Sequence, residues 1–161
     1  WMMKIRVGFG FDVHQLKEGL NFCLGGIIIP HSKGSHGHSD ADVLIHTICD
    51  ALLGAANMGD IGKHVPDTSP EYKGIDSKIL LKEVVNLINQ KEYTISNIDS
   101  TICLQKPKID KYIPEMKRVL SDCMKIDIED ISIKATTTEK LGFVGREEGV
   151  SAYATVLIQK S

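Results

Sequence analysis

Ile5-Arg6-Val7-Gly8-Phe9-Gly10-Phe11-Asp12-Val13-His14 is the stretch whose reading decides the fold. Up to Phe11 it combines β-branched and aromatic side chains with glycines, the pattern of a buried strand. Side chains on a strand alternate faces, so Asp12 and His14 point the same way. A carboxylate beside an imidazole at a strand end is half of a metal site; taken alone, the pair also fits a plain polar strand end.

The rest of the chain sets the context. Its 161 residues suit one domain with a substantial core. Apolar residues make up 42%, charged residues 25%, and the formal charge is −2. With both signs interspersed, this excludes a nucleic-acid surface and a basic membrane patch. Cys23, Cys49, Cys103 and Cys123 form no Cys-x-x-Cys pair and sit in apolar stretches, so they read as core residues of a reducing compartment. No apolar run approaches the ~20 residues that span a membrane, and no signal peptide is recognisable. The expected location is the cytoplasm, or a plastid-type organelle if a transit peptide has been removed. Trp1-Met2 reads as a cloning remnant ahead of Met3.

Working outward, the first strand is expected over Lys4 to Asp12, followed by a polar turn at Lys17-Glu18-Gly19. Phe22-Cys23-Leu24 and Ile27-Ile28-Ile29 flank Gly25-Gly26 and predict a hairpin. Pro30 to Ser39 is rich in Gly, His and Ser and predicts an irregular loop. A helix capped by Ser39 or Asp40 is expected to run to about Asn57, with Leu44, Ile45, Ile48, Cys49, Leu52 and Leu53 on its apolar period. Further helices are expected from Ser77 to Lys91 and from Lys111 to Met124, with Pro114 in the first turn of the latter. Strands are expected at Thr94 to Gln105, Ile131 to Thr137 and Val150 to Gln159, the last two joined by a Gly-rich loop. The fold class is α+β: a mixed four-stranded sheet plus a hairpin, one face covered by helices, in a two-layer sandwich.

Asp42, His46 and Asp50 recur every four residues and so share one face of the first helix. Asp42 and Asp50 flank His46 by one turn each and could fix its tautomer, as carboxylates do for ligating histidines. His46 could then join Asp12 and His14. Two imidazoles and a carboxylate suit zinc with an open fourth position; the same spacing also describes the solvated face of an amphipathic helix. His31, His36 and His38 lie in a loop of surface character, although His38-Ser39 precedes a helix start, where anions are favoured. Thr136-Thr137-Thr138-Glu139 ends a strand with three hydroxyls, which can donate to phosphate, and a carboxylate that could hold Mg²⁺. β-Propensity alone would also explain the threonines. Asp60-Ile61-Gly62 reads either as a ligand contact or as a plain turn.

Several motifs occur together in one order. They are Gly10-Phe11-Asp12-Val13-His14; His38-Ser39-Asp40-Ala41-Asp42 with His46; Asp50-Ala51-Leu52-Leu53-Gly54-Ala55; Gly59-Asp60-Ile61-Gly62; Pro66-Asp67-Thr68; and Ala135-Thr136-Thr137-Thr138-Glu139-Lys140-Leu141-Gly142. In these the chain resembles the 2-C-methyl-D-erythritol 2,4-cyclodiphosphate synthase family of the non-mevalonate isoprenoid pathway, across a single domain from Lys4 to Lys160. The resemblance implies a metal-dependent phosphorus–oxygen lyase. Its substrate would be 4-diphosphocytidyl-2-C-methyl-D-erythritol 2-phosphate, whose 2-phosphate attacks the β-phosphate, closes a ring and expels CMP.

The resemblance also assigns roles. Asp12, His14 and His46 correspond to zinc ligands, and Glu139 to the ligand of a second divalent ion, Mg²⁺ or Mn²⁺. His38 and Thr137 correspond to groups that stabilise the phosphoryl transition state. Substrate contacts correspond to Asp12, His14, His38, Ser39, Asp60, Ile61 and Gly62, and to Val65, Pro66, Asp67, Thr68 and Ser69. Leu104, Gln105, Lys106, Pro107, Lys108, Ile109 and Asp110 correspond to the loop that reads cytosine, with Ala135, Thr136, Thr137, Thr138 and Glu139 beside it. A homotrimer with active sites between subunits is implied. Phe143, Arg146 and Glu148 correspond to the lining of a threefold cavity that can hold a prenyl diphosphate. Phe9 stands where many relatives carry histidine. Two other readings of the same residues are a zinc-dependent phosphoester hydrolase and a non-catalytic module that binds prenyl diphosphates.

Overall fold

The computed structural model describes residues 2–37, 39–64 and 76–160. The expectations at His38, Val65, Pro66, Asp67, Thr68 and Ser69 lie outside these residues. In strand β1 (Lys4–Glu18), burial alternates instead of running continuously. Gly8, Gly10 and Leu16 are buried on one face, while Ile5, Val7, Phe9, Phe11 and Val13 on the other are 42–66% exposed. The apolar run that reads as a buried strand is therefore buried on one side only.

Strand β1 continues past Asp12 because the last strand of the chain pairs with it as far as Gln15, and a second partner carries it on to Glu18. That partner is β4 (Lys33–His36), which pairs antiparallel with it from Gln15↔His36 to Glu18↔Lys33. The expected irregular loop thus supplies an edge strand, and among the described residues the sheet has five strands, not four. An edge strand needs backbone pairing more than apolar side chains, so polarity did not prevent it. The strand order is β4-β1-β7-β5-β6, with β5 (Thr94–Cys103), β6 (Ile131–Thr136) and β7 (Gly149–Lys160). β5 and β6 pair in parallel while the other described pairs in this sheet are antiparallel, which makes the sheet mixed. β6 and β7 follow each other in sequence but are separated by β5. The hairpin is present as β2 (Phe22–Leu24) and β3 (Ile27–Ile29), a separate two-stranded sheet.

Helix α1 (Val43–Ala55) lies across β1 and β7 and is covered on its far side by α3 (Ser77–Gln90). It is buried nearly all round, as a helix enclosed between sheet and helix must be. Helix α4 (Ile113–Met124) follows, packing on α3 and β6 with Pro114 in its first turn. Two single-turn helices, α2 (Ile61–His64) and α5 (Gly142–Gly145), sit in connections. Among the described residues no helix is long and apolar enough to cross a membrane. The four cysteines are free thiols.

The approach of α1 to β1 is set by glycine. A Cβ on Gly10 would lie 2.9 Å from Ala51 N and closer still to the carbonyl oxygen of Thr47; one on Gly8 would lie 2.7 Å from Ala55 Cβ. Side chains at these two positions would hold the helix off the strand. This close contact brings α1 within reach of Asp12 and His14.

Candidate metal centre

Asp12 and His14 project from the helix-facing side of β1, and His46 comes from the second turn of α1. Asp12 Oδ2 lies 3.5 Å from His14 Nε2 and 3.3 Å from His46 Nδ1. One ligand atom from each residue falls within 4.8 Å of the others. The imidazole rings meet edge-on with centroids 5.2 Å apart. Both histidines are 14% exposed and Asp12 is 30% exposed, so the cluster opens to solvent on the carboxylate side. Two imidazole nitrogens and one carboxylate oxygen converging at an opening fit a tetrahedral zinc with one position left for substrate.

Burial works against protonation of His46, but its hydrogen bond with Asp12 and the negative charges of Asp12, Asp42 and Asp40 outweigh that effect. Its pKa is raised above the ordinary 6.5. The partners of the other ring nitrogen differ from those expected. Nε2 lies 2.9 Å from Ser39 Oγ and 3.0 Å from Ser77 Oγ.

The flanking carboxylates on the helix have other work. Asp42, not Ser39 or Asp40, is the N-cap of α1, and it is fully buried. Its Oδ1 accepts from Ile45 N and Gly25 N, both at 3.0 Å, and its Oδ2 accepts from Gly26 N at 2.7 Å. It thereby ties the hairpin turn to the helix start. Gly25 and Gly26 both have positive φ, which aims the two N–H groups at the carboxylate. Burial pushes the Asp42 carboxyl upward against the pull of these three donors. Burial also raises Asp50, opposed by the backbone N–H groups of Ile61 and Phe11 that it accepts. Four-residue spacing put three polar residues on one face; only His46 enters the cluster.

A second site lies at the far edge of the sheet. Leu104, Gln105, Pro107, Lys108, Ile109 and Asp110, after β5, and Ala135, Thr136 and Thr137, at the end of β6, line an open pocket of about 140 Å³. The expected cytosine loop and the threonine-rich strand end therefore do meet. Asp12 pairs with Ala152, Ala152 with Ile102, and Ile102 with Ala135. Three strand spacings separate the candidate metal cluster from this pocket, roughly 14 Å within one chain.

The loop after β6 holds its own shape. Thr138 Oγ1 donates to Leu141 O at 2.7 Å, and Lys140 N donates to Gln105 Oε1 at 3.2 Å. Glu139 is exposed with φ +55°, a conformation uncommon for a side-chain-bearing residue and often retained at functional positions. Asp60 accepts from Lys63 N at 3.0 Å, which caps the single turn α2 and places Ile61 and Gly62 at its start. Phe143 is 42% exposed on α5, and Arg146 pairs with Glu148 at 3.1 Å on the surface. The sequence offers Asp40 only as a helix cap and part of a motif, and Ser77 only as a helix start. A serine at a helix start reads as ordinary capping, and its position opposite His46 depends on how α3 packs on α1.

This fold and this cluster define a class: the chain belongs to the YgbB family, whose profile matches residues 5–159. A curated relative from Bacteroides thetaiotaomicron, 2-C-methyl-D-erythritol 2,4-cyclodiphosphate synthase, is 70% identical over 158 residues, covering 98% of this chain and 99% of the relative. A solved structure of 2C-methyl-D-erythritol-2,4-cyclodiphosphate synthase in its CDP-bound form superposes with a TM-score of 0.88 at 33% identity, covering 95% of this chain and 99% of that one. The bifunctional IspDF of Campylobacter jejuni superposes with a TM-score of 0.95 at 38% identity; this chain is 99% covered and spans 43% of that protein.

Proposed function

We propose that this chain converts 4-diphosphocytidyl-2-C-methyl-D-erythritol 2-phosphate to 2-C-methyl-D-erythritol 2,4-cyclodiphosphate and CMP, in the non-mevalonate route to isoprenoid precursors. The observation that carries the reading is the convergence of Asp12, His14 and His46 in a chain that shares 98% of its length with a synthase of that name. Asp12, His14 and His46 would hold zinc and Glu139 a second divalent ion, Mg²⁺ or Mn²⁺; bound there, the pair supplies Lewis-acid charge at the diphosphate.

The protein's own part is placement. The reaction is intramolecular, so the barrier falls chiefly through holding the 2-phosphate in line with the β-phosphorus and neutralising the crowded oxygens. The cavity between 104–110 and 135–137 takes the cytosine, and Thr137, whose hydroxyl accepts from Glu139 N and keeps its own proton, offers a donor to phosphate oxygens. His38 and Thr137 stabilise the transition state in this assignment. Ser39, Asp60 and Gly62 hold the methylerythritol phosphate, with Ile61 and 65–69 as further substrate contacts.

A homotrimer supports the same chemistry. The sheet face bearing Val7, Phe9, Phe11 and Tyr153 is exposed and aromatic, with Phe11 and Tyr153 rings 5.1 Å apart. Exposed apolar surface of this kind is ordinarily covered by association. A neighbouring copy would bring its nucleotide pocket to this metal cluster, and Phe143 and Arg146 would line an axial cavity able to hold a prenyl diphosphate. The free thiols fit a reducing compartment, the cytoplasm.

The test pairs metal content with turnover. Purified chain should take up one zinc, and release of CMP from the substrate should require divalent metal. His46→Ala should abolish zinc uptake and CMP release together. Full turnover by His46→Ala would overturn the reading.

A further inference from the structure

His46 can hold a metal through Nδ1 only if its neutral ring keeps its proton on Nε2. The groups around Nε2 decide that. Ser77 is fully buried at the first position of α3, and its hydroxyl oxygen lies 3.0 Å from His46 Nε2. Asp40 grips the same serine twice: Oδ2 accepts from Ser77 N at 3.0 Å, and Oδ1 accepts from the Ser77 hydroxyl. Asp40 Oδ1 also accepts from Asp42 N at 3.2 Å, which anchors the carboxylate to the start of α1.

A serine hydroxyl has one proton. With that proton committed to the Asp40 carboxylate, Ser77 Oγ can present only lone pairs to the imidazole. Nε2 is then a donor whatever the charge of the ring; in the neutral ring that metal binding requires, Nδ1 is the lone-pair atom, and Nδ1 faces Asp12. Ser39 Oγ, 2.9 Å from the same Nε2, accepts from Ala41 N at 3.3 Å. Acting as a second acceptor from Nε2–H, it keeps its own proton free to turn toward an incoming phosphate.

We infer that Asp40 and Ser77 form a carboxylate–hydroxyl–imidazole relay that fixes the Nε2–H tautomer of His46 and so presents Nδ1 to the metal. Both are positioning residues. They couple the start of α3 to the metal centre, and they do for His46 what a directly bonded carboxylate does in other sites. The inference rests on the metal reading above and assigns functions to residues that reading leaves unused.

The experiment measures zinc affinity by competition with a chromophoric chelator, together with ¹⁵N shifts of His46 in the zinc-loaded protein. The wild type should show a protonated Nε2 and a metal-bound Nδ1. Ser77→Ala should weaken zinc by about 10- to 100-fold with one zinc still bound at saturation. Ser77→Thr keeps the hydroxyl and should restore most of the affinity. Asp40→Ala leaves Ser77 free to donate to Nε2, and should also weaken zinc by about tenfold or more; it serves as the second variant if Ser77→Ala does not fold. Thermal unfolding of the metal-free variants separates loss of fold from loss of affinity. Wild-type zinc affinity in folded Ser77→Ala, with His46→Ala unable to bind, would overturn the relay alone. A wild-type protein that takes up no zinc, or a His46→Ala variant that binds it normally, would overturn the metal reading and the relay with it.

Discussion

Gly10→Ala adds one methyl group, at the place where β1 and α1 touch. The new Cβ would stand 2.9 Å from Ala51 N and nearer still to Thr47 O, both backbone atoms of α1 that no rotamer change can move. Restoring ordinary carbon–heteroatom contact requires the helix to shift by about 1 Å. The expected overpacking cost is about 1–3 kcal/mol, which for a domain of this size lowers the thermal midpoint by about 2–12 °C. The functional effect should be larger. His46 Nδ1 is 3.3 Å from Asp12 Oδ2, and metal–ligand distances tolerate only about ±0.2 Å. A misplacement of about 1 Å can cost on the order of 10²-fold in turnover. Differential scanning calorimetry, zinc titration and CMP release read the three effects. Gly54→Ala is the control on the same helix: Gly54 is exposed, and nothing lies within 4 Å of an added Cβ. That change should stabilise the protein by about 0.5–1 kcal/mol and leave zinc binding unchanged. If Gly10→Ala binds zinc and melts as the wild type does, the close approach of α1 to β1 does not set the metal geometry, and the reasoning fails.

Two further predictions concern the frame and the assembly. In Asp42→Asn the amide group must face at least one of Ile45 N, Gly25 N and Gly26 N as donor against donor, which should cost about 1–3 kcal/mol in urea titrations. Because burial raises the folded-state pKa of Asp42 above 3.8, its linked stability is fully present below 3.8 and is lost as pH rises through the raised folded value. That segment of the wild-type stability–pH curve should flatten in the variant, and an unaltered slope would assign the titration elsewhere. If each site combines the metal cluster of one subunit with the nucleotide pocket of the next, His46→Ala and an inactive pocket variant such as Thr136→Arg should complement when refolded together. Random mixing in equal amounts should restore about a quarter of wild-type activity; no recovery in verified mixed trimers would place both halves in one chain.

The grouping of Asp12, His14 and His46 was legible because its signals are local. Two-residue alternation placed Asp12 beside His14, and helical periodicity placed His46 on a single face of α1. Which polar neighbours served His46 was not legible. Asp42 and Asp50 had the right spacing, yet one caps the helix and the other holds the backbone N–H groups of Phe11 and Ile61. The groups that do reach Nε2 include Ser77, which arrives from α3 through helix–helix packing that no spacing encodes. The edge strand Lys33–His36 was missed for a related reason: a short polar strand is defined by its partner, and β1 supplies the pairing. The bare face of β1 was missed because a strand apolar on both sides reads as buried whether its second layer comes from the same chain or from another copy.

The most direct test of the central claim is the product formed in ¹⁸O-labelled water. Metal-replete protein given 4-diphosphocytidyl-2-C-methyl-D-erythritol 2-phosphate should release one CMP for each cyclic diphosphate, with no ¹⁸O in either product, because the attacking oxygen belongs to the substrate's own 2-phosphate. A linear product that is heavier by one water and carries ¹⁸O would mean that the cluster of Asp12, His14 and His46 activates solvent, and would contradict the account.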